Sequence, residues 1–154
     1  MIVAETDRMF IRHFTLDDVP PLAAFLADPE VMRFSVGGVL TENDACRFVE
    51  WCIGLYRSSG FGPWALVAKS SGALLGFCGL VPEAVDGVEE VHVGYRLGRQ
   101  HWGRGFATEA VSRVLSYAFA QLGLSSVVAI IEPDHVASVR VAEKAGFGRF
   151  ELKD

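Results

Sequence analysis

Trp102-Gly103-Arg104-Gly105-Phe106-Ala107-Thr108-Glu109-Ala110 is the stretch that decides the fold of this 154-residue chain. It follows a strand-like run, Val88 to Leu97, and opens an amphipathic helix expected over about 105–122. The apolar stripe of that helix is Ala107, Val111, Val114, Leu115, Ala118, Phe119 and Leu122, with Gly123 as its stop. Two glycines let the backbone turn tightly and leave amide N–H groups uncovered by side chains. Those groups lie at the positive end of a helix dipole, where a phosphate binds readily. By itself such a loop is more often a structural turn than a ligand cradle. What surrounds it has to decide.

Working outward, Arg8 to Phe14 alternates apolar and polar residues and predicts a first strand. Leu16 to Ala27 reads as a helix with Pro20 and Pro21 in its first turn, and Thr41-Glu42-Asn43-Asp44 as the capped start of a second. Three strands follow, Gly62 to Lys69, Leu74 to Val81 and Val88 to Leu97. In the last of these Val91, Val93, Tyr95 and Leu97 face one side, and Glu90, His92, Gly94 and Arg96 the other. Beyond the 105–122 helix, Ser126 to Ile131 is a nearly all-apolar strand, Val136 to Ala145 a last helix, and Phe147 to Leu152 a final strand. The order β-α-α-β-β-β-α-β-α-β describes a mixed sheet with helices on both faces.

Hydrophobic residues make up 51% of the chain and charged residues 21%, which excludes a disordered chain. No apolar run approaches the ~20 residues of a membrane span, and the charged N-terminus is no signal peptide, so a cytoplasmic protein with no membrane partner is expected. A net charge of -5 without a basic stripe argues against nucleic acid. Cys46, Cys52 and Cys78 form no C-x-x-C pair and read as reduced core thiols. The four histidines lack metal-ligand spacing, so no metal is expected. The loop also lacks the acidic residue ~20 positions on that a dinucleotide fold would show, and the Lys-Ser/Thr ending of a P-loop.

With its glycine loop between the fourth strand and the third helix, the chain resembles the GNAT superfamily of N-acetyltransferases. Within it the RimJ/RimL-like branch, which acetylates protein N-terminal amines and small amines, is most similar. The resemblance rests on five segments in family order: 28–34 (DPEVMRF), 76–80 (GFCGL), 94–97 (GYRL), the 102–110 loop and 137–147 (ASVRVAEKAGF). It implies a single GNAT domain over 1–154, an α+β, three-layer acyl-CoA N-acyltransferase fold. Its mostly antiparallel sheet would splay between the fourth and fifth strands, 88–97 and 126–131. Relatives continue after the Gly-Phe with a two-strand hairpin, which looks incomplete in this chain. Either a partner chain in a homodimer supplies the missing strand, or the edge stays open, or the chain is a truncated relative.

The resemblance also implies acetyl-CoA as cosubstrate. Its pyrophosphate would lie on Trp102, Gly103, Arg104, Gly105, Phe106 and Ala107, with Arg99 and Gln100 as further donors. Two registers of the family's loop pattern fit, Trp102-x-x-Gly105-x-Ala107 being preferred over Gln100-x-x-Gly103-x-Gly105. The pantetheine arm would pair with Tyr95, Arg96 and Leu97, and His135 stands where relatives carry asparagine. Ser138 would sit beside the thiol as hydrogen-bond donor; alternatively it caps a helix. His92 is the candidate base, with Glu90 as substitute, and is equally readable as a half-buried strand histidine. The expected acceptor pocket, around 34–39 and 60–63, offers no charged specificity group. Two functional classes remain: an acetyltransferase for a protein N-terminus or small amine, and a non-catalytic acyl-CoA-binding module.

Overall fold

The computed structural model describes residues 1–35, 37–131 and 135–147. In chain order the elements are β1 (Ile2–Glu5), β2 (Met9–Arg12), α1 (Val19–Leu26), α2 (Glu42–Ser58), β3 (Pro63–Ala68), β4 (Leu74–Val85), β5 (Val88–Leu97), α3 (Phe106–Ala120), β6 (Val128–Ala129) and α4 (Val136–Lys144). Short 3-10 turns at Leu16–Asp18 and Arg99–His101 lead into α1 and the glycine loop. The six strands form one sheet in sequence order. Its first five strands are antiparallel, and β5 and β6 are parallel.

Local signals account for the helices. Thr41 caps α2 reciprocally with Asp44: the Asp44 N–H donates to Thr41 Oγ1 at 3.1 Å and the Thr41 N–H to Asp44 Oδ2 at 3.0 Å. The two prolines lie in the first turn of α1, where no intrahelical N–H is missed. One core cluster joins Ala110, Val111, Val114 and Ala118 of α3 to Ile11, Trp64, Leu66, Cys78, Leu80 and Val93 of the sheet. A second, on the opposite face, joins Leu22, Phe25 and Leu26 of α1 and Val49 and Cys52 of α2 to Phe14 and Ala65. Every residue of β3 is buried, as a strand covered on both faces requires. The expected three layers are present.

Four boundaries differ from expectation. An additional strand, β1, pairs with β2, so the fourth and fifth strands of the sequence reading are β5 and β6. The predicted 8–14 strand contracts to β2. β4 runs to Val85 rather than Val81, because Asp86 and Gly87, with φ of 52° and 78°, make a two-residue turn of the twist that hairpins favour. Finally, 126–131 is strand only at Val128–Ala129. Of the expected last strand, Phe147 closes α4 by donating its N–H to the Ala142 carbonyl, and 148–152 lie outside the described residues.

The sheet is open where the resemblance requires it. β5 pairs with β4 along its whole length, Val85↔Val88 to Gly76↔Leu97. It pairs with β6 only at His92↔Val128 and Val93↔Ala129. From Gly94 to Leu97 the β6 side of β5 therefore has no strand partner among the described residues.

Candidate active site

The Asp86-Gly87 turn fixes the register of the β4–β5 ladder, setting Val81 opposite His92, Glu83 opposite Glu90 and Gly79 opposite Gly94. On this face of the sheet lies a cleft of about 460 Å³, lined by Phe48 and Trp51 of α2 together with Pro63, Phe77, Gly79, Val81, Pro82, Glu83, His92 and Gly94. His92 Nδ1 lies 2.8 Å from Glu83 Oε2, off the direction of a good hydrogen bond, so the contact is chiefly electrostatic. A Cβ built on Gly94 would meet His92 Nε2 at 3.8 Å, which places Nε2 over the open backbone of that glycine. Burial lowers the His92 pKa below the ordinary imidazole value, and the Glu83 charge opposes this. The ring is then neutral at pH 7, with a nitrogen available to accept a proton.

At the far end of β5, the Leu97 carbonyl accepts a hydrogen bond from Trp102 Nε1 at 3.0 Å, which ties the loop to the strand edge. Gly103 and Gly105 adopt φ of 74° and 79°, left-handed values that glycine reaches without strain. Gly105 is the N-cap of α3, Phe106 its first residue and Ala107 its second. The first intrahelical bond of this end runs from the Glu109 N–H to the Gly105 carbonyl, and no side chain caps the turn. The N–H groups ahead of Glu109 thus lack intrahelical acceptors. Glu109, an acid in this first turn, is held away by Thr6, which donates to its Oε2, and by Arg8 Nε at 2.8 Å from its Oε1. Burial pushes the Glu109 carboxyl up, but those bonds and the Arg8 charge outweigh it and keep the acid ionised. Arg8 also donates to the Arg104 carbonyl at 2.9 Å and lies over the Phe106 ring.

The start of α4 faces the splayed edge. Tyr95 donates its hydroxyl to the Ser138 carbonyl at 2.7 Å, bridging β5 and α4. Ser138 Oγ is 3.1 Å from both ring nitrogens of His135, the N-cap residue. His135 stacks on Phe34, with centroids 4.4 Å apart. Tyr95 is pushed up to about 12 by burial, so its proton stays in the bond to Ser138.

The sequence-predicted residues thus fall into three groups. His92 stands in the cleft; Glu90 is on the same strand face, opposite Glu83, but does not line the cleft. Tyr95, His135 and Ser138 meet at the splay, and residues 102–107 form the α3 start. Arg99 is taken up by Asp28 in an ion pair. The cleft itself departs from the expected pocket, sharing only Pro63 with it and carrying a charged group, Glu83. Glu83, Phe48, Trp51 and Arg8 were not anticipated. The Asp86-Gly87 dipeptide was the signal that could have placed Glu83 beside His92. Among the described residues, no cluster of three metal-ligating side chains is present, and no helix is long and apolar enough to cross a membrane.

Comparison with known proteins bears on the family and the fold. The family model described as an acetyltransferase (GNAT) domain matches residues 8–148. The uncharacterized protein YkkB of Bacillus subtilis is 34% identical over 92% of this chain and 82% of its own length. The structure of a GNAT-family acetyltransferase from Bacillus anthracis superposes with a TM-score of 0.82 at 26% identity, covering 97% of this chain and 84% of that one. RimL, a ribosomal L7/L12 α-N-protein acetyltransferase solved with coenzyme A, shares the fold at a TM-score of 0.80 and 15% identity, over 96% of this chain and 84% of its own. The chain belongs to the GNAT acetyltransferase family.

Proposed function

We propose that the chain transfers the acetyl group of acetyl-CoA to a primary amine by direct attack in a ternary complex. The observation that carries this reading is His92, neutral and half-buried, with Nε2 over Gly94 where β5 loses its β6 neighbour. In support, RimL was solved with coenzyme A and is named for acting on a protein amine. The uncovered N–H groups of α3, with Arg104 beside them, suit a pyrophosphate. The edge from Gly94 to Leu97, without a strand partner among the described residues, suits an extended amide-bearing arm that adds to a sheet edge.

In the proposed reaction the nitrogen lone pair of the neutral amine attacks the thioester carbonyl and a C–N bond forms. Collapse of the tetrahedral intermediate breaks the C–S bond and expels the thiolate. With its own proton on Nδ1 toward Glu83, His92 accepts the amine proton at Nε2, directly or through water. Ser138 Oγ, close to the splayed edge, donates a hydrogen bond to the leaving sulfur. The proton passes to the thiolate from solvent or from His92. At pH 7 an α-amine of pKa ~8 is already ~10% neutral, whereas a lysine of pKa ~10.4 is below ~0.1%. Holding both reactants together supplies up to ~7–11 kcal/mol, so positioning outweighs the base for an α-amine.

Thermal unfolding with acetyl-CoA, followed by free-thiol release over a panel of amines, tests this. Ligand at ~100 times its dissociation constant adds ~2.7 kcal/mol, a Tm rise of several degrees for a chain of this size. No shift at millimolar acetyl-CoA rules the reading out. A shift without turnover of any amine assigns the chain to the acyl-CoA-binding modules instead.

A further inference from the structure

Glu90, His92, Gly94 and Arg96 occupy alternate positions on one face of β5, and the row is electrically polarised. At one end Glu83 and Glu90 oppose each other directly across the β4–β5 ladder. Among the described residues their only potential cationic partner is His92, which burial keeps neutral. At the other end is the Arg96 guanidinium, half-buried, with five N–H donors. Its one hydrogen bond among the described residues goes from Nη1 to the Met32 thioether, a weak acceptor, at 2.8 Å. Arg33 lies over the Phe34 ring, 5.2 Å from its centroid, and His135 stacks on the same ring. The charges of half-buried Arg96 and of exposed Arg33 are both felt at His135, and no carboxylate pairs with either guanidinium among the described residues. A guanidinium drawn out of water is normally paired, and among the described residues Arg96 has no anionic partner.

We propose that Arg96 receives a carboxylate of the acceptor, so that the acceptor is a small zwitterionic amine of the free amino-acid class. Its ammonium end lies toward Glu83 and His92, its carboxylate end toward Arg96, and Gly94 between them leaves room. Residues i and i+2 on a strand face are ~7 Å apart, a gap that a short zwitterion bridges with a hydrogen bond of ~2.8 Å at each end. A protein N-terminus fits less well, because its first carboxyl is spent in an uncharged peptide bond. The phosphates of coenzyme A are the competing anion. Tyr95 and Leu97, however, face the core cluster that Phe106 and Ala107 of the α3 start also pack against, whereas Arg96 lies on the opposite strand face, beside Met32. The inference rests on the acetyltransferase reading above and deepens it.

The test measures free-thiol release with acetyl-CoA for amino acids and for their carboxamides, in the wild type, Arg96→Met and Arg96→Lys. Acetyl-CoA binding by calorimetry and Tm are measured on the same samples. The wild type should favour the carboxylates, and Arg96→Met should erase about tenfold or more of that preference, the size of a lost charge-assisted bond, with partial recovery in Arg96→Lys. Using the ratio cancels the intrinsic difference between the amines. Because methionine removes an unpaired charge, the Arg96→Met Tm should hold or rise. A wild type that favours carboxamides or peptides overturns the inference, as does an unchanged ratio in Arg96→Met. A large fall in Tm would mean that the guanidinium is already paired, and loss of acetyl-CoA affinity with the ratio intact would mean that it serves the donor; either overturns the inference. Failure of the wild type to bind acetyl-CoA would instead remove the acetyltransferase reading itself.

Discussion

Gly79 and Gly94 are cross-strand partners and both line the cleft, so alanine at each makes the same chemical change in the same place. The consequences should be opposite. A Cβ on Gly79 would lie 2.1 Å from the Gly62 carbonyl oxygen and 2.5 Å from Pro63 Cα, both backbone atoms that cannot swing aside. Ordinary contact begins at 3.4 Å, so β3 must retreat by about 1.3 Å, the difference between 3.4 and 2.1. That retreat strains the bond from the Leu80 N–H to the Gly62 carbonyl, now 3.2 Å, worth ~1 kcal/mol. Overpacking adds ~1–3 kcal/mol, for a total of ~2–4 kcal/mol out of a stability of ~5–15. Tm should fall by roughly 4–16 °C. A Cβ on Gly94 meets nothing nearer than His92 Nε2 at 3.8 Å, so its stability should change by less than ~1 kcal/mol, in either direction. Its methyl would occupy the space beneath Nε2, and acceptor turnover should fall about tenfold, the loss that a small misplacement of reacting groups brings. Guanidinium titration and thiol release on both variants decide. Gly79→Ala within ~1 kcal/mol of wild type, or Gly94→Ala equally destabilised, refutes the geometry of the cleft.

Three further outcomes follow from the same structure. His92→Gln should flatten the acid limb of kcat/KM against pH, while Glu83→Gln should move that limb to lower pH, because the Glu83 charge is what raises the His92 pKa against burial; a limb unchanged in His92→Gln excludes it as base. All four histidines, His13, His92, His101 and His135, have folded-state pKa values lowered chiefly by burial. The unfolded chain therefore binds more protons below about pH 6.5, and stability should fall as the pH drops from there toward the lowered values; denaturant midpoints at pH 7.5 and 5.5 check the sign. Asp18, 6% exposed, is gripped by Arg12 at 2.8 and 2.9 Å and by the Thr15 N–H. Burial raises its pKa, but those bonds and the Arg12 charge outweigh it and hold it low. Asp18→Asn should cost about 2–4 kcal/mol near neutrality by leaving Arg12 unpaired, and the difference from wild type should shrink as the pH falls through the depressed Asp18 value.

The candidate site was half legible in the chain. Positions 102–107 and His92 are legible as candidates because each sits at a fixed offset from a local signal, a glycine turn or a strand alternation, whereas Ser138 is a candidate only through the family resemblance. Glu83 was missed because ending β4 at Val81 left it in a loop, although Asp86-Gly87 held the information that pairs it with Glu90. Phe48 and Trp51 read as part of an ordinary amphipathic α2; only the docking of that helix shows that they wall the cleft. Arg8 lies about a hundred residues from Glu109, and no local pattern relates the two. Arg96 reads in the sequence as a strand residue beside the pantetheine arm, and no local pattern shows what its side chain meets.

What the sequence determined by itself is the set of elements and the face each presents, because alternation, capping and turn chemistry act over a few residues and leave their period in the chain. Tertiary structure decided which of those faces meet. It set Glu83 beside His92, turned Nε2 over Gly94, tied Arg8 to the α3 loop and left Arg96 without a carboxylate among the described residues. Such contacts depend on the register of the β4–β5 ladder and on the docking of α2 and α4. These are sums of many weak long-range packing terms, with no counterpart in any single stretch of residues.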